Sequence, residues 1–525
     1  MENGGIKKCL IILLAAFMLF SVNAAAVKVK KTGDSSVYNV MGFSGNKKLF
    51  PLFKCSEDLD PLVDLKVTVK IKEIRALDKI DKVGDPDFYV KVFINGEEFT
   101  SPIWYNKKYV KDDDCIWYAT KDVPDDVENV SIKIQLWDWN PGLDVLCDLS
   151  ENNERFPSTR DIDLVYNLKS GHWYGEDYIE FYPAWFDISG YGRVNGCDDN
   201  SIYQNDMDCE LYFDICQNDF DGDGIPYWTE VNVFGTDPLV NDTGIDSDCD
   251  GVPIEWEYKW GHCFRWDWHT HSMKDLWFYN PFKWENHSSL DPDDDALTNV
   301  EEYLTAQWGS DPFRKDLFIE LDQMEAGPNG EPASMLPENS KELLRVAHHR
   351  RNIVYHLDDG CMGGGEIIPF IKFIPGWSPE LLQVYNDYFL HGDENNWRRY
   401  IFRYSVIVYD ANFSGYMFLP NAFQLSSSWV DKNIVPTVLK GRDVVWASVY
   451  MHETGHLLNI QIPGGHDDNS KAIWQWGWWK WRPYKSCMNY GYTYYLVDYS
   501  DGSHGKNDHD DWDNLDFGFF KQRFI

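Results

Sequence analysis

Two histidines and a glutamate in the C-terminal part of the chain have types and spacing that suit a metal site. His452, Glu453 and His456 lie in the segment Val444–Leu458, whose apolar positions recur at helical spacing. Residues four apart share one face of a helix, so both imidazoles can bind one tetrahedral zinc ion. Glu453 would lie beside the open ligand position, where it can take a proton from zinc-activated water and pass it to a leaving amine. The pattern predicts hydrolysis by zinc-activated water.

A second motif follows some thirty residues after this pattern. The sequence SCMNY, at Ser486–Tyr490, resembles the Met-turn of the metzincin zinc proteases, in which a methionine lies beneath the metal. The resemblance covers residues 313–525 and implies a metzincin-like α/β (α+β) catalytic domain. It also implies that Tyr490 approaches the metal and steadies the oxyanion. Gly415–Gln424 would then be the edge strand that holds an extended substrate by main-chain hydrogen bonds.

The third zinc ligand departs from the metzincin pattern. That pattern places glycine three residues and a ligand six residues after the second histidine, where this chain has Asn459 and Ile462. Asn is the residue next most tolerant of the left-handed conformation, so the turn after the helix can survive. His466 lies ten residues after the second histidine, behind a Pro-Gly-Gly bend. We expect His466 as the third ligand because imidazole binds zinc more often than a lone carboxylate, and Asp467 and His504 are the alternatives.

Three acidic stretches in the middle of the chain share the spacing of a calcium loop. Each carries Asp at positions 1, 3 and 5 of a twelve-residue loop and Glu at position 12, which suits a seven-coordinate calcium ion. Position 6 is Gly224 or Gly251 in two loops and Ala296 in the third. The surrounding residues 198–311 hold 27 acidic and four basic residues, and they resemble the tandem calcium repeats of thrombospondin type 3 and of secreted microbial enzymes. The predicted calcium ligands are Asp219, Asp221, Asp223 and Glu230, then Asp246, Asp248, Asp250 and Glu257, then Asp291, Asp293, Asp295 and Glu302.

Alternating apolar residues nearer the N-terminus predict an antiparallel β-sandwich over residues 60–190. The segments Leu65–Ile71, Phe88–Ile94 and Val130–Leu136 supply half-buried strands. Two acidic loops of this sandwich resemble those of the protein kinase C conserved region 2, the C2 domain, which clamps calcium between paired loops. An ordinary sandwich with acidic turns is the alternative, because Asp also favours turns. The resemblance implies calcium ligands at Asp81, Asp87, Asp138 and Asp144, with Asn140 where an Asp is usual, and it does not imply lipid binding.

The elements that must position the zinc motif alternate between strands and helices. Three segments have the composition of buried strands: Asp316–Leu321, Asn352–Leu357 and Ser405–Tyr409. A helix is predicted over Ser340–His349. The fold class is therefore multidomain: an all-β sandwich, a calcium-loop repeat segment and a C-terminal α/β metzincin-like domain. Five tryptophans between residues 474 and 481 are expected to pack locally within an insertion, and an aromatic wall of the substrate cleft is the alternative.

Composition restricts the partners and the compartment of the chain. Its 525 residues have a net charge of −37, which disfavours nucleic acid and anionic membranes as general partners and favours cations. Two lysines, the apolar run Cys9–Val22 and three alanines predict a signal peptide over residues 1–24, and hence a secreted protein. An uncleaved anchor is the alternative, although 14 apolar residues are short for a spanning helix. The ten remaining cysteines permit disulfides in an oxidising compartment, and we predict that Cys361 and Cys487 are bridged.

Together these patterns predict a secreted zinc endopeptidase that acts on protein or peptide substrates and is stabilised by calcium. One alternative is a non-catalytic, calcium-binding surface or adhesion protein with a degenerate zincin domain. Another is a metal-dependent hydrolase of a non-peptide bond, because the motif determines the water chemistry and not the substrate. No residue pattern identifies the substrate sequence, a propeptide, the oligomeric state or a cell-surface contact.

Overall fold

The computed structural model separates the chain into two compact units. Among the described residues the first unit ends at Asn286 and the second begins at His287. This boundary lies inside the predicted repeat segment, so two calcium loops belong to the first unit and the third loop to the second. The predicted signal peptide lies outside the described residues, and within them no helix is long and apolar enough to cross a bilayer. The structure describes residues 58–112, 114–150, 160–176, 186–187, 192–197, 206–460 and 464–521.

The first unit is built mainly from strands. Its helices are α1 (Tyr227–Thr229), which continues as a π-helical turn over Glu230–Phe234, and α2 (Ile254–Trp260). Its strands are β1 (Lys66–Ala76), β2 (Phe88–Ile94), β3 (Glu97–Thr100), β4 (Tyr109–Lys111), β5 (Trp117–Asp122), β6 (Asn129–Asp138), β7 (Val145–Leu146), β8 (Ile162–Asn167), β9 (His172–Gly175), β10 (Phe186–Asp187), β11 (Arg193–Asn195), β12 (Cys209–Gln217), β13 (His262–Asp267) and β14 (Ser272–Trp277).

Two antiparallel sheets form the predicted sandwich. One has the order β11-β12-β1-β4 with β5 also on β1, and the other has the order β3-β2-β6-β8-β9 with β7 also on β6. Alternate residues such as Val67 and Val69 of β1 and Val92 of β2 are fully buried in one shared core, which explains the period-two pattern. The sandwich extends past residue 190, because β12 is a long partner of β1. Beside it, β10, β13 and β14 form a small antiparallel sheet.

The second unit alternates strands and helices. Its strands are β15 (Asp316–Met324), β16 (Val354–Asp358), β17 (Ile367–Ile368), β18 (Arg403–Val408), β19 (Gly415–Leu419) and β20 (Ala422–Ser426). Its α-helices are α3 (Asn299–Thr305), α4 (Glu338–His349), α5 (Pro379–Val384), α6 (Ser427–Trp429), α7 (Arg442–Leu457) and α8 (Trp476–Trp481). Short π-helical turns cover Tyr385–Phe389 and Val430–Ile434, and 3₁₀ turns cover Ala306–Trp308, Trp397–Tyr400, Val435–Thr437, Trp512–Asn514 and Phe519–Lys521.

A mixed sheet is the centre of the second unit. Its order is β16-β15-β18-β20-β19, and every pair along it is parallel except the last, which is an antiparallel hairpin. All nine residues of β15 are buried, as expected for a central strand covered on both faces. Because β19 pairs with β20 alone among the described strands, one of its edges is available for a further strand.

Helix α7 carries the predicted zinc motif and packs against the sheet. Trp446, Val449 and Tyr450 are buried in the main core of this unit, and the Tyr450 ring lies edge-on against Phe423 of β20. The helix ends in a tight turn, since Asn459 has a φ of +53° and the Ile460 amide donates to an earlier carbonyl of the helix. The expectation that Asn459 supports this turn in place of glycine is therefore confirmed.

The predicted disulfide between Cys361 and Cys487 is wrong. Both residues are free thiols: Cys361 is exposed and donates to the Leu357 carbonyl at 3.6 Å, while Cys487 is buried in the core. The prediction relied on these being the last two cysteines of the chain. Position in the sequence does not bring two Cβ atoms within the short reach of a disulfide.

Candidate metal centre

Three histidines meet at the end of α7. One ring nitrogen from each of His452, His456 and His466 lies within 4.8 Å of those of the other two. The Nε2 atoms of His452 and His466 are 3.2 Å apart. Two nitrogens bound to one tetrahedral zinc at 2.0–2.1 Å would lie about 3.3 Å apart, so this spacing fits a shared ion.

The tautomer and charge of these histidines also suit a metal. The Nδ1 of His452 lies 2.8 Å from the Cys487 carbonyl, and donation there leaves the lone pair of Nε2 directed at the cluster. Burial, followed by the other two imidazoles, holds the pKa of His452 well below its usual range. Burial and His466 lower the pKa of His456 to about 4. Neutral imidazole is the form that binds metal.

The segment predicted as a Met-turn forms a tight turn that packs against the helix. The Asn489 amide donates to the Ser486 carbonyl at 3.0 Å, which closes a tight turn around Met488. A Cβ added to Gly455 of α7 would lie only 2.5 Å from the Met488 sulfur, so the thioether touches the helix between the two histidines of the motif. Glycine at position 455 is therefore what permits this close approach.

Glu453 is buried and faces the edge strand. A Cβ built on Gly415 of β19 would lie 2.3 Å from the Glu453 Oε1, so the carboxyl group rests directly on the strand backbone. Burial raises the pKa of Glu453 to about 8, against the opposing effect of a hydrogen bond from the Met417 backbone. The candidate base and the candidate substrate strand are thus in contact.

Tyr490 lies beside two of the histidines. Its ring centroid is 4.2 Å from that of His466 and 5.8 Å from that of His452. Its amide donates to the Gly465 carbonyl at 2.9 Å, which ties the Met-turn to the loop that carries His466. Burial and the charge of Glu453 raise the pKa of Tyr490 to about 12, so its hydroxyl is a proton donor at neutral pH.

The two alternative third ligands point elsewhere. The exposed Asp467 accepts hydrogen bonds from the Asn469 amide and the Ser470 hydroxyl, which form a local turn. In the tail, the Nδ1 of His504 lies 3.0 Å from a carboxylate oxygen of Asp508. The structure groups His466, and neither alternative, with the two histidines of α7.

The three predicted calcium loops share one backbone arrangement. In each, the position-1 carboxylate accepts the amide of position 6 and the position-5 carboxylate accepts the amide of position 7. Position 6 has a left-handed φ throughout: +88° at Gly224, +105° at Gly251 and +75° at Ala296. Each position-12 glutamate is buried at the first helical turns after its loop. The spacing in the sequence thus corresponds to a repeated structure.

Several carboxylate oxygens of these loops have no hydrogen-bond donor among the described residues. Both carboxylate oxygens of Asp248 and one of Glu257 are buried and accept no hydrogen bond from these residues. Burial, followed by the charge of Asp250, raises the pKa of Glu257 to about 9, and burial with Asp223 raises that of Glu230 to about 8. Buried carboxylates without donors are costly unless a cation pairs with them, so the residues present fit calcium.

Two further carboxylates approach these loops, and the loop spacing alone did not identify them. Asp242 joins Asp223 and Glu230 in one group of candidate ligand atoms, and Glu285 joins Asp250 and Glu257 in another. The Glu285 amide also donates to Asp250 at 3.1 Å. Both residues follow their loop by more than ten positions, so only the tertiary structure brings them close.

At the sandwich loops the predicted ligands are only partly grouped. Burial, then the charges of Asp138 and Asp87, raise the pKa of Asp81, which places these three carboxyl groups close together. The oxygens of Asp138 already accept from the Asp87 amide and from the Asn140 side chain, both at 2.8 Å. Asp144 instead accepts the Tyr89 hydroxyl at 2.9 Å. Asn140 therefore donates a hydrogen bond where an Asp would offer another ligand oxygen.

Comparison with known proteins gives no family assignment. No family model and no curated protein matches the chain. Among solved structures, human GIVD cytosolic phospholipase A2 aligns at 12% identity and a TM-score of 0.17, over 29% of this chain and 17% of that chain. A C2 domain of plant extended synaptotagmin 1 aligns at 15% identity and a TM-score of 0.17, over 29% and 95% of the two chains. A C2 domain protein from Ramazzottius varieornatus aligns at 11% identity and a TM-score of 0.20, over 29% of this chain and 87% of that chain.

Proposed function

We propose that this chain is a secreted zinc endopeptidase of metzincin type, stabilised by calcium. The observation that carries the proposal is the meeting of His452, His456 and His466 at the end of a helix whose Glu453 rests on an edge strand. A structural helix would have no reason to gather three neutral imidazoles with tetrahedral spacing beside a buried carboxyl group.

The residues around this centre have separate roles in the proposal. The three histidines hold zinc, which when bound supplies Lewis acidity and lowers the pKa of water. Glu453, whose ionised form a bound cation would favour, accepts a proton from the attacking water and delivers it to the leaving amine. The free edge of β19 holds an extended peptide by main-chain hydrogen bonds. The Tyr490 hydroxyl donates to the oxyanion that develops on the scissile carbonyl.

The acidic loops have a structural role. Calcium at the three repeats neutralises carboxylates that otherwise repel one another, and so it stabilises the folded chain rather than taking part in catalysis. The third loop is joined to the proposed catalytic unit, because Asp295 accepts the amide of Asp316, the first residue of β15, at 2.7 Å. Calcium at that loop would hold the start of the central strand.

The test of the catalytic role is Glu453→Gln. The amide keeps the size of the side chain but cannot accept a proton, so we expect one zinc per chain to remain and casein cleavage to fall by about 10²–10⁴-fold. Metal content by atomic absorption and cleavage with and without chelator check both expectations. Retention of most activity would refute the mechanism, zinc without peptide cleavage would favour another bond as substrate, and no zinc in the parent would favour a non-catalytic protein.

The third ligand is tested separately. We expect His466→Ala to lose zinc on dialysis, because two histidines alone leave the ion without the third protein ligand of a catalytic site. Asp467→Ala is the matched control, since its carboxylate lies in a local turn on the neighbouring residue. Full zinc in His466→Ala together with loss in Asp467→Ala would reverse the assignment.

A further inference from the structure

The segment between His466 and the Met-turn displays large apolar side chains to solvent. Trp474 is 84% exposed, Trp476 80%, Ile473 60% and Trp479 55%. We call these four residues the tryptophan patch. The expectation that the tryptophans of this segment pack locally is wrong for Trp474 and Trp476, but it holds for Trp479, whose ring lies edge-on at 4.8 Å from that of Trp478. Large apolar side chains exposed together in this way are typical of an interaction surface.

The other tryptophans of α8 anchor the patch. A Cβ added to Gly464 would lie 1.8 Å from the Trp481 ring, and one added to Gly491 would lie 3.0 Å from the Trp478 ring. Both rings therefore press on backbone next to the metal centre. Trp476 and Trp479, three apart, lie on a common side of the helix, and the Trp479 indole N–H donates to the Ile473 carbonyl at 2.7 Å. These contacts of Trp478, Trp479 and Trp481 hold the tryptophan patch in place.

The stretch of sequence that carries the patch is basic, unlike the chain as a whole. Residues 469–497 contain four basic residues and no Asp or Glu, within a chain of net charge −37. Lys480 and Arg482 are exposed, and they lie over the rings of Trp481 and Trp479. Lys471 is paired with Asp468 at 2.6 Å. The local surface is thus apolar and basic, which complements an anionic, partly apolar partner.

We propose that the tryptophan patch docks the chain on an anionic lipid bilayer interface. Indoles are amphipathic and prefer the headgroup region, where neighbouring lysine and arginine side chains pair with anionic lipids. A bilayer deforms around projecting side chains, whereas a rigid protein partner would need a matching cavity. The proposal goes beyond peptide hydrolysis: docking would place the candidate metal centre close to the membrane surface, because Trp481 packs on the loop that carries His466.

The experiment is vesicle co-sedimentation of the full chain with calcium and zinc present. Vesicles of phosphatidylcholine with 30 mol% phosphatidylglycerol are compared with vesicles of phosphatidylcholine alone. Removing one half-inserted indole is expected to weaken partitioning on the order of tenfold, so the double variant Trp474→Ser/Trp476→Ser should lose binding to the mixed vesicles. The charge variant Lys480→Glu/Arg482→Glu should weaken binding to mixed vesicles and leave any binding to phosphatidylcholine unchanged.

Two controls distinguish the patch from other surfaces. Trp268→Ser removes an indole that is 68% exposed but lies in the first unit, and it should bind vesicles as the parent does. The melting temperature and casein cleavage of the double variant should equal those of the parent, because neither exposed indole takes part in the metal centre. Unchanged vesicle binding by the double variant would overturn the proposal. The proposal would also be overturned if the parent chain bound neither kind of vesicle, or if it bound an acidic protein or polysaccharide and not the vesicles.

Discussion

The contact between Gly415 and Glu453 makes a sharp test of the proposed base. Gly415 has an ordinary strand conformation, so alanine is acceptable to the backbone. Its Cβ, however, would lie 2.3 Å from the Glu453 Oε1 and 2.7 Å from the Glu453 Cδ, where ordinary contacts begin at 3.4 Å. The carboxyl group must therefore move by about 1 Å, and a displacement of that size costs roughly 10²-fold in rate.

We expect Gly415→Ala to keep its zinc and its melting temperature within a few degrees, and to lose about 10²-fold in kcat for casein with little change in KM. Gly441→Ala is the matched control, because a Cβ at Gly441 meets no atom within 4 Å. In a Glu453→Gln background, Gly415→Ala should not lower kcat any further, because the side chain that it displaces no longer accepts a proton. Full kcat in Gly415→Ala would refute the assignment of Glu453 as the base, and an additive loss in the double variant would place the effect on the substrate strand instead.

Three further outcomes follow from the rest of the chain. Burial and the neighbouring His262 lower the pKa of His172 to about 3, below the usual 6.5, so its contribution to stability is present above pH 6.5 and is lost as the pH falls. From pH 7 to pH 5 the free energy of unfolding, measured by urea denaturation, should fall by about 2 kcal/mol more in the parent than in His172→Gln. An equal fall in the two proteins would contradict this. Ala296→Gly should raise the melting temperature in calcium, because it relieves a left-handed alanine that costs about 1 kcal/mol; a lower melting temperature would argue against strain there. Excess EGTA should lower the melting temperature of the parent and expose residues 198–311 to added protease, and an unchanged melting curve would exclude a structural role for calcium.

Local patterns predicted the parts of the fold that depend on short-range geometry. The segment Phe88–Ile94 is the observed strand β2, and the helix around His452 begins two residues before its predicted start. The three calcium loops adopt one arrangement because the spacing of their carboxylates itself specifies the hydrogen bonds of the loop. Where the sequence signal and the structural constraint span the same dozen residues, the prediction agrees with the structure.

Long-range features were not predictable in this way. The sandwich acquires β12 from beyond residue 190 because β1 needs a partner along its whole length, and no local pattern identifies that partner. Asp242 and Glu285 approach their calcium loops only through the tertiary fold. The same limit explains the failed bridge between Cys361 and Cys487, whose separation in space is independent of their order in the sequence.

The position of His466 shows how an unusual spacing can still bring a third imidazole beside the two of α7. The loop before it packs closely on Trp481, because the Trp481 ring occupies the place where a Cβ of Gly464 would lie. The next residue, Gly465, has a left-handed φ of +90°. The carbonyl of Gly465 then accepts a hydrogen bond from the Tyr490 amide, which ties this loop to the turn around Met488. The loop that carries His466 is therefore positioned by its contacts with the turn around Met488 and with Trp481, and not by the number of residues that separate it from the helix.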